Sequence, residues 1–154
     1  MKKVAIGCDP NAAALKQIIC QHLQELGYEY EDYGSEDTVY ANVAIQVAEA
    51  VARGDHDRGI LICGTGIGVC IAANKVPGAY AALCSDAYSA ERARKSNNAN
   101  IMTMGSQVIG PELAKTLVTI WMRSEYTPGG RSEPKVRRIV DYDKARGRES
   151  ARDE

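Results

Sequence analysis

The stretch Gly59-Ile60-Leu61-Ile62-Cys63-Gly64-Thr65-Gly66-Ile67-Gly68 decides how the rest of the chain is read. Gly59–Cys63 is a short apolar run, fit for a strand buried on both faces. The glycines at 64, 66 and 68 then make a turn in which the backbone can approach a ligand, and Val69–Asn74 continues as a helix. A strand that ends in a glycine turn and opens a helix is where an open α/β sheet binds ligands, because N–H groups at a helix start favour an anion. The turn is not a Walker A loop, since no Gly-Lys-Ser/Thr follows. Nor is its spacing, after the third strand, the dinucleotide GxGxxG of a first strand.

Working outward, the same alternation recurs. Lys2–Cys8 reads as a buried strand closing on Asp9. Ala12–Leu26 follows as a helix with Leu15, Ile18, Ile19, Leu23 and Leu26 on one face, stopped by Gly27. Tyr28–Tyr33 reads as a second strand and Asn42–Arg53 as a helix through Val43, Val47, Ala50 and Val51. Ala79–Cys84 is a fourth strand, and Asp86 caps a helix running to about Ser96. Ile101–Met104 is a fifth strand, and Pro111 opens a helix that reaches Met122. Short strands separated by helices predict βαβ units: an α/β fold of three layers, with a five-stranded parallel sheet between two layers of helix.

Residues 131–154 differ, being dense in both signs of charge. Val136, Ile139, Val140 and Tyr142 fall on one face of a helix there. Two readings stand: a solvated C-terminal helix with a charged tail, or a helix exchanged with or packed on a partner subunit, where it supplies cations to the partner's site. Either way residues 1–130 form the domain, and residues 131–154 its C-terminal extension.

A length of 154 residues suits one domain. Nineteen basic against 20 acidic residues leave a net charge of -1, which argues against a general nucleic-acid binder. No apolar run approaches the roughly 18 residues that span a bilayer, and the start, Met1-Lys2-Lys3, is followed by too short an apolar run for a signal peptide. The five cysteines (Cys8, Cys20, Cys63, Cys70 and Cys84) are odd in number and include no CxxC pair. They form neither a disulfide framework nor a zinc knuckle, and point to a reducing cytoplasm. With the two histidines, His22 and His56, far apart, no metal site is expected.

Cys63 stands apart from the other thiols. A cysteine at a strand end beside a helix start is a candidate thiolate. A thiolate beside backbone donors can take a proton from carbon while the donors hold the resulting oxyanion. The local sequence leaves the alternative of one more buried cysteine open. Asp9 ends a strand at the same sheet edge, so it either reaches the same crevice or caps the first helix. Arg131 and Lys135, four residues apart, would share a helical face and clamp a phosphate, or belong to a solvated basic face. Tyr40 belongs either to the core or to the site.

Taken together, Gly7-Cys8-Asp9, Cys63-Gly64-Thr65-Gly66-Ile67-Gly68, Ala73-Asn74-Lys75-Val76-Pro77-Gly78 and Gly129-Gly130-Arg131 resemble the type B ribose-5-phosphate isomerase and galactose-6-phosphate isomerase family. The resemblance runs from about Lys2 to about Val140. It implies a Rossmann-like sheet, homodimers or tetramers with sites shared between subunits, and no cofactor or metal. The implied activity is aldose–ketose isomerisation of a sugar phosphate through a cis-enediolate. Under it, Cys63 is the base and Thr65 supports the reacting end. Gly64, Gly66, Ile67 and Gly68 line the anion hole, Asp9 and Asn97 contact substrate oxygens, and Arg131 and Lys135 bind the phosphate.

The departures bear on the substrate. The ribose-5-phosphate members carry histidine where this chain has Pro10 and Ser96, and the second of these is their acid for opening the furanose ring. Gln107 and Lys135 stand where many relatives have arginine. The strings Tyr88-Ser89-Ala90-Glu91-Arg92-Ala93 and Ser96-Asn97-Asn98-Ala99 resemble the branch that isomerises erythrulose 4-phosphate. Alternatives within the class are a ribose-5-phosphate or hexose-6-phosphate isomerase. Outside it stands a non-catalytic sugar-phosphate or nucleotide-binding module, which would have no need of a thiol at Cys63.

Overall fold

The structure, a computed structural model, describes residues 1–152, with side chains as far as Gly147. The end of the charged tail, within the predicted 131–154 extension, lies outside the described residues. The order is β1 (Val4–Cys8), a 3-10 turn (Pro10–Ala12), α1 (Ala13–Glu25), β2 (Tyr30–Asp32), α2 (Tyr40–Ala52) and β3 (Gly59–Cys63). Then come α3 (Ile67–Ala73), β4 (Ala81–Leu83), α4 (Ala87–Lys95), β5 (Ile101–Gly105), α5 (Pro111–Arg123) and α6 (Glu133–Arg152). The strands form one parallel sheet in the order β2-β1-β3-β5-β4. This is the predicted Rossmann-like α/β architecture.

The three inner strands are buried at every residue, as their largely apolar runs require. The outer strands β2 and β4 are three residues each, shorter than the predicted Tyr28–Tyr33 and Ala79–Cys84, because each pairs on one side only. Alternate residues of the inner strands face opposite layers. Ile6, Ile60, Ile62, Met102 and Met104 pack with α1, α4 and α5 around Trp121 and Leu117. Ala5, Leu61, Cys63 and Ile101 pack with α2 and α3. Cys63 therefore faces the α2–α3 layer.

A buried cation closes the amino edge of the sheet. Arg58, 3% exposed, stands just before β3. Its guanidinium donates to the carbonyls of Trp121 and Met122 at 2.8 Å and of Ser124 at 3.0 Å, stacks over the Trp121 ring, and pairs with Glu125. The end of α5 leaves carbonyls without helical partners, and Arg58 supplies their donors. Arg58→Met is expected to lower the unfolding free energy by about 3 kcal/mol or more, since each buried group left unpaired costs about 1–3 kcal/mol. Urea denaturation reads this, and a loss within about 0.5 kcal/mol, the range of an ordinary surface change, would reject it.

The C-terminal helix is tied to its own chain. Asp143 accepts from the Gly78 N–H and the Tyr80 hydroxyl, both at 2.8 Å, at the amino edge beside β4. Burial and this bond raise the Tyr80 phenol above its ordinary pKa. The predicted apolar face is split: Val136 is buried and Val140 half-buried, but Ile139 and Tyr142 are exposed at 52% and 58%. Arg131 precedes the helix, so it does not share a helical face with Lys135 as the spacing suggested. Both side chains are exposed.

Candidate active site

The carboxyl edge of the sheet is built around the ends of β1, β3 and β5. The chain leaves β1 for β2 on one side and returns to β3 on the other, so the β1–β3 boundary is the topological switch point. Asp9 follows β1 there, and its backbone N–H donates to the Ile62 carbonyl at 3.1 Å. One carboxylate oxygen accepts from the Ala12 N–H at 3.1 Å, so Asp9 caps the turn into α1 while standing beside the end of β3. The structure thus shows Asp9 as the cap, at the end of β1 beside β3.

Cys63 is the last residue of β3 and is 4% exposed. Its Sγ accepts the backbone N–H of Gly66 at 3.1 Å. The turn goes on through Gly66 in the left-handed region at φ +80°, which favours glycine. A side chain at Gly66 would also meet Leu83 Cδ1 at 2.6 Å and the Met104 backbone at 2.7 Å. Ile67 N–H donates to Thr65 Oγ1 at 3.2 Å, which leaves the hydroxyl proton of exposed Thr65 for a ligand. Tyr40 opens α2 and lays its ring against Gly68, whose missing Cβ makes the room, so Tyr40 borders the turn rather than the core.

Of the other thiols, Cys8, Cys20 and Cys84 are buried small hydrophobes, as expected, whereas Cys70 is only half-buried. Burial pushes Cys8 and Cys20 up to about 11 and Cys84 up to about 12, which keeps them protonated at neutral pH. Cys70 is half-buried, with its Sγ 3.6 Å from the Ala81 carbonyl.

Sequence reasoning did not foresee the role of the segment after β5. Gly105 lies opposite Cys63 in the ladder, and a Cβ there would lie 2.6 Å from the Thr65 carbonyl. Ser106 N–H donates to the Cys63 carbonyl at 2.9 Å and Gln107 N–H to the Gly64 carbonyl at 3.0 Å. The Gln107 amide lies 3.7 Å from where a Gly64 Cβ would stand, so the residue noted as replacing arginine overlooks the turn. The one sequence signal for this segment was a glycine closing an apolar strand.

Asn97, Arg131 and Lys135 are not with Cys63. Asn97 follows α4, and the chain from it re-enters the sheet at Asn100, whose N–H donates to the Tyr80 carbonyl and whose carbonyl accepts from Gly59. That is the amino edge, where β3 begins. The segment holding Arg131 and Lys135 is tied at both ends to the same edge, through Glu125 to Arg58 and through Asp143 to Gly78. A five-residue strand separates the edges by roughly 15 Å at about 3.3 Å per residue. The residues singled out from the sequence thus fall into two groups, Asp9, Tyr40, Cys63 and the turn at the carboxyl edge, and Asn97 with the segment of Arg131 and Lys135 tied to the amino edge.

A thiol under a glycine turn at the switch point of a parallel sheet defines an α/β enzyme of the kind that handles small anionic ligands. Residues 4–139 match the family model described as Ribose/Galactose Isomerase, and the chain belongs to that family. It is 50% identical over 147 residues to D-erythrulose-4-phosphate isomerase of Pectobacterium atrosepticum, spanning 93% of this chain and 96% of that one. It is 51% identical over 144 residues to Ribose-5-P isomerase B of Listeria innocua, spanning 92% and 97%. The structure of ribose-5-phosphate isomerase B from Clostridium thermocellum superposes with a TM-score of 0.87 at 42% identity, covering 93% of this chain and 98% of the other. The chain is an aldose–ketose isomerase of sugar phosphates. Among the described residues no helix is long and apolar enough to cross a membrane.

Proposed function

We propose that the enzyme interconverts D-erythrulose 4-phosphate and D-erythrose 4-phosphate, with Cys63 as the base. The observation that carries the choice of substrate is where the two histidines lie. His22 Nε2 is 2.7 Å from Thr119 Oγ1, joining α1 to α5. His56 is buried near the amino edge, its ring bonded to the Lys3 carbonyl at 2.8 Å and the Tyr33 hydroxyl at 2.7 Å. Neither stands at the glycine turn, and the position of the ring-opening histidine holds Ser96, with Pro10 at the family's other histidine position. In a pentose 5-phosphate O4 is free, so the aldose closes to a furanose that must be opened. In a tetrose 4-phosphate O4 carries the phosphate, no furanose forms, and no ring-opening acid is needed.

The chemistry follows from the turn. The Cys63 thiolate takes a proton from C1 of the ketose. The C–H electron pair forms the C1–C2 double bond, and the carbonyl pair moves onto O2. The N–H groups of the turn and the Thr65 hydroxyl hold that oxygen as charge develops. The thiol then returns the proton to C2, while the hydroxyl proton passes from O1 to O2 and C1 becomes the aldehyde. Nothing is oxidised or reduced overall, so the reaction consumes no cofactor.

Asp9 is assigned to a substrate hydroxyl, Tyr40 to the wall of the crevice, Asn97 to substrate oxygens, and Arg131 with Lys135 to the phosphate. The separation of the two groups by the length of a strand supports a homodimer or larger assembly in which each site draws on two copies. The exposed Ile139 and Tyr142 on α6 are consistent with a neighbour there.

A coupled isomerase assay across tetrose, pentose and hexose phosphates tests the substrate. The expected result is a kcat/KM for the four-carbon pair well above that for ribose 5-phosphate. The Listeria relative's name makes ribose 5-phosphate the main rival. A higher kcat/KM for ribose 5-phosphate would overturn the tetrose assignment and leave Cys63 and the isomerase class standing.

A further inference from the structure

Thr103 is the one hydroxyl in an otherwise apolar central strand, and it is wholly buried. By the alternation of β5 it faces the α2–α3 layer between Ile101 and Gly105. Its Oγ1 donates to the Gly66 carbonyl at 2.8 Å. That carbonyl belongs to the Gly66–Ile67 peptide, whose N–H donates to Thr65 Oγ1. The residue on the other side of the same carbonyl is the left-handed Gly66, whose own N–H donates to Cys63 Sγ. A single buried hydroxyl thus holds Gly66, whose two flanking peptides donate to the two functional side chains of the turn.

We propose that Thr103 is a positioning residue for catalysis. By holding the Gly66 carbonyl it fixes the residue between two peptides, so that the Gly66 N–H stays on the Cys63 sulfur and the Ile67 N–H on the Thr65 hydroxyl. The hydrogen bonds run in series, Thr103 hydroxyl to carbonyl and peptide N–H to Thr65 hydroxyl, and such chains polarise one another. The Gly66 carbonyl also accepts the first N–H of α3, as an N-cap carbonyl does, so without the hydroxyl the turn loses its tie to β5 and is held from the helix side alone. With that tie gone Gly66 shifts relative to β3 and β5, which lengthens the bond from its N–H to the sulfur and costs the thiolate more than the thiol. This role rests on Cys63 being the base, as proposed above.

Thr103→Val, close in shape but without a donor, tests it with Thr103→Ser as the rescue. Two quantities are read: steady-state turnover, and the pH profile of Cys63 alkylation by iodoacetamide, followed at that residue by peptide mass spectrometry. In Thr103→Val the alkylation profile is expected to move to higher pH by about one unit, a roughly tenfold gain in the proton affinity of the sulfur. kcat is expected to fall by about the same factor, with KM changing far less. Thr103→Ser restores both. Should the valine variant fail to fold by circular dichroism, Thr103→Cys, a weaker donor of similar size, is read in the same way and is expected to move both quantities in the same direction. An unmoved alkylation profile in the folded variant, or a loss that Thr103→Ser does not restore, overturns the proposal. The alkylation arm uses no sugar, so a wrong substrate assignment leaves it intact. A loss of kcat in Thr103→Val without an alkylation shift would overturn the positioning role itself.

Discussion

Cys63→Ser is expected to keep its fold and lose about 10²–10⁴-fold in kcat on whichever sugar phosphate is the best substrate, the usual contribution of a positioned general base. The serine hydroxyl fits the space and can accept the Gly66 N–H that the sulfur accepts at 3.1 Å. It is far less acidic than a thiol, so almost none of it is ionised near neutral pH. KM should move little, because the turn N–H groups and the phosphate partners are unchanged. The wild type should be inactivated by thiol alkylation, with substrate protecting. Cys8, Cys20 and Cys84 are held protonated by burial, so the labelling is followed at Cys63 by peptide mass spectrometry to separate it from half-buried Cys70. Near-full turnover by Cys63→Ser would remove it as the base.

Much of this corner was legible before any coordinates. The bounds of β3 follow from the apolar run Gly59–Cys63 and the glycine that ends it. Asp86 caps α4 by accepting the Ser89 N–H at 2.8 Å, and Pro111 opens α5, because these residues satisfy or omit the N–H groups a helix start leaves over. Other features turn on long-range geometry. The edge strands are shorter than their sequence runs because ladder length depends on a partner, not on propensity. The apolar face of α6 splits because Asp143 sets the helix rotation against Gly78 and Tyr80, far away in sequence. Arg58 looks like any surface arginine in a run of charged residues, and only the fold brings the end of α5 over it. Thr103 reads as a β-branched strand residue. Its bond to Gly66 crosses 37 positions, a link no periodicity encodes. The separation of Asn97 and Arg131 from Cys63 likewise depends on the direction in which α4 and α5 return across the sheet.

That separation leads to the second large effect. Arg131→Ala is expected to lower kcat/KM for phosphorylated substrates by about 10- to 150-fold, the equivalent of about 1.5–3 kcal/mol for a hydrogen bond to a charged group. An unphosphorylated sugar should feel the change much less. The decisive measurement mixes the two crippled proteins. In a two-fold dimer with shared sites, a hybrid of Cys63→Ser and Arg131→Ala subunits holds one site with both defects and one with neither. Random reassortment makes about half of the dimers hybrid, so about a quarter of all sites become intact and activity recovers to about that fraction of wild type. If each site were built from one chain, every site in the mixture would carry one defect or the other, and mixing would restore nothing. Recovery must follow subunit exchange, induced by brief mild denaturation and verified by a mass tag on one parent. A mixture that exchanges fully yet stays at the parental rate would reject the shared site, and Arg131 and Lys135 would then need another role at the amino edge.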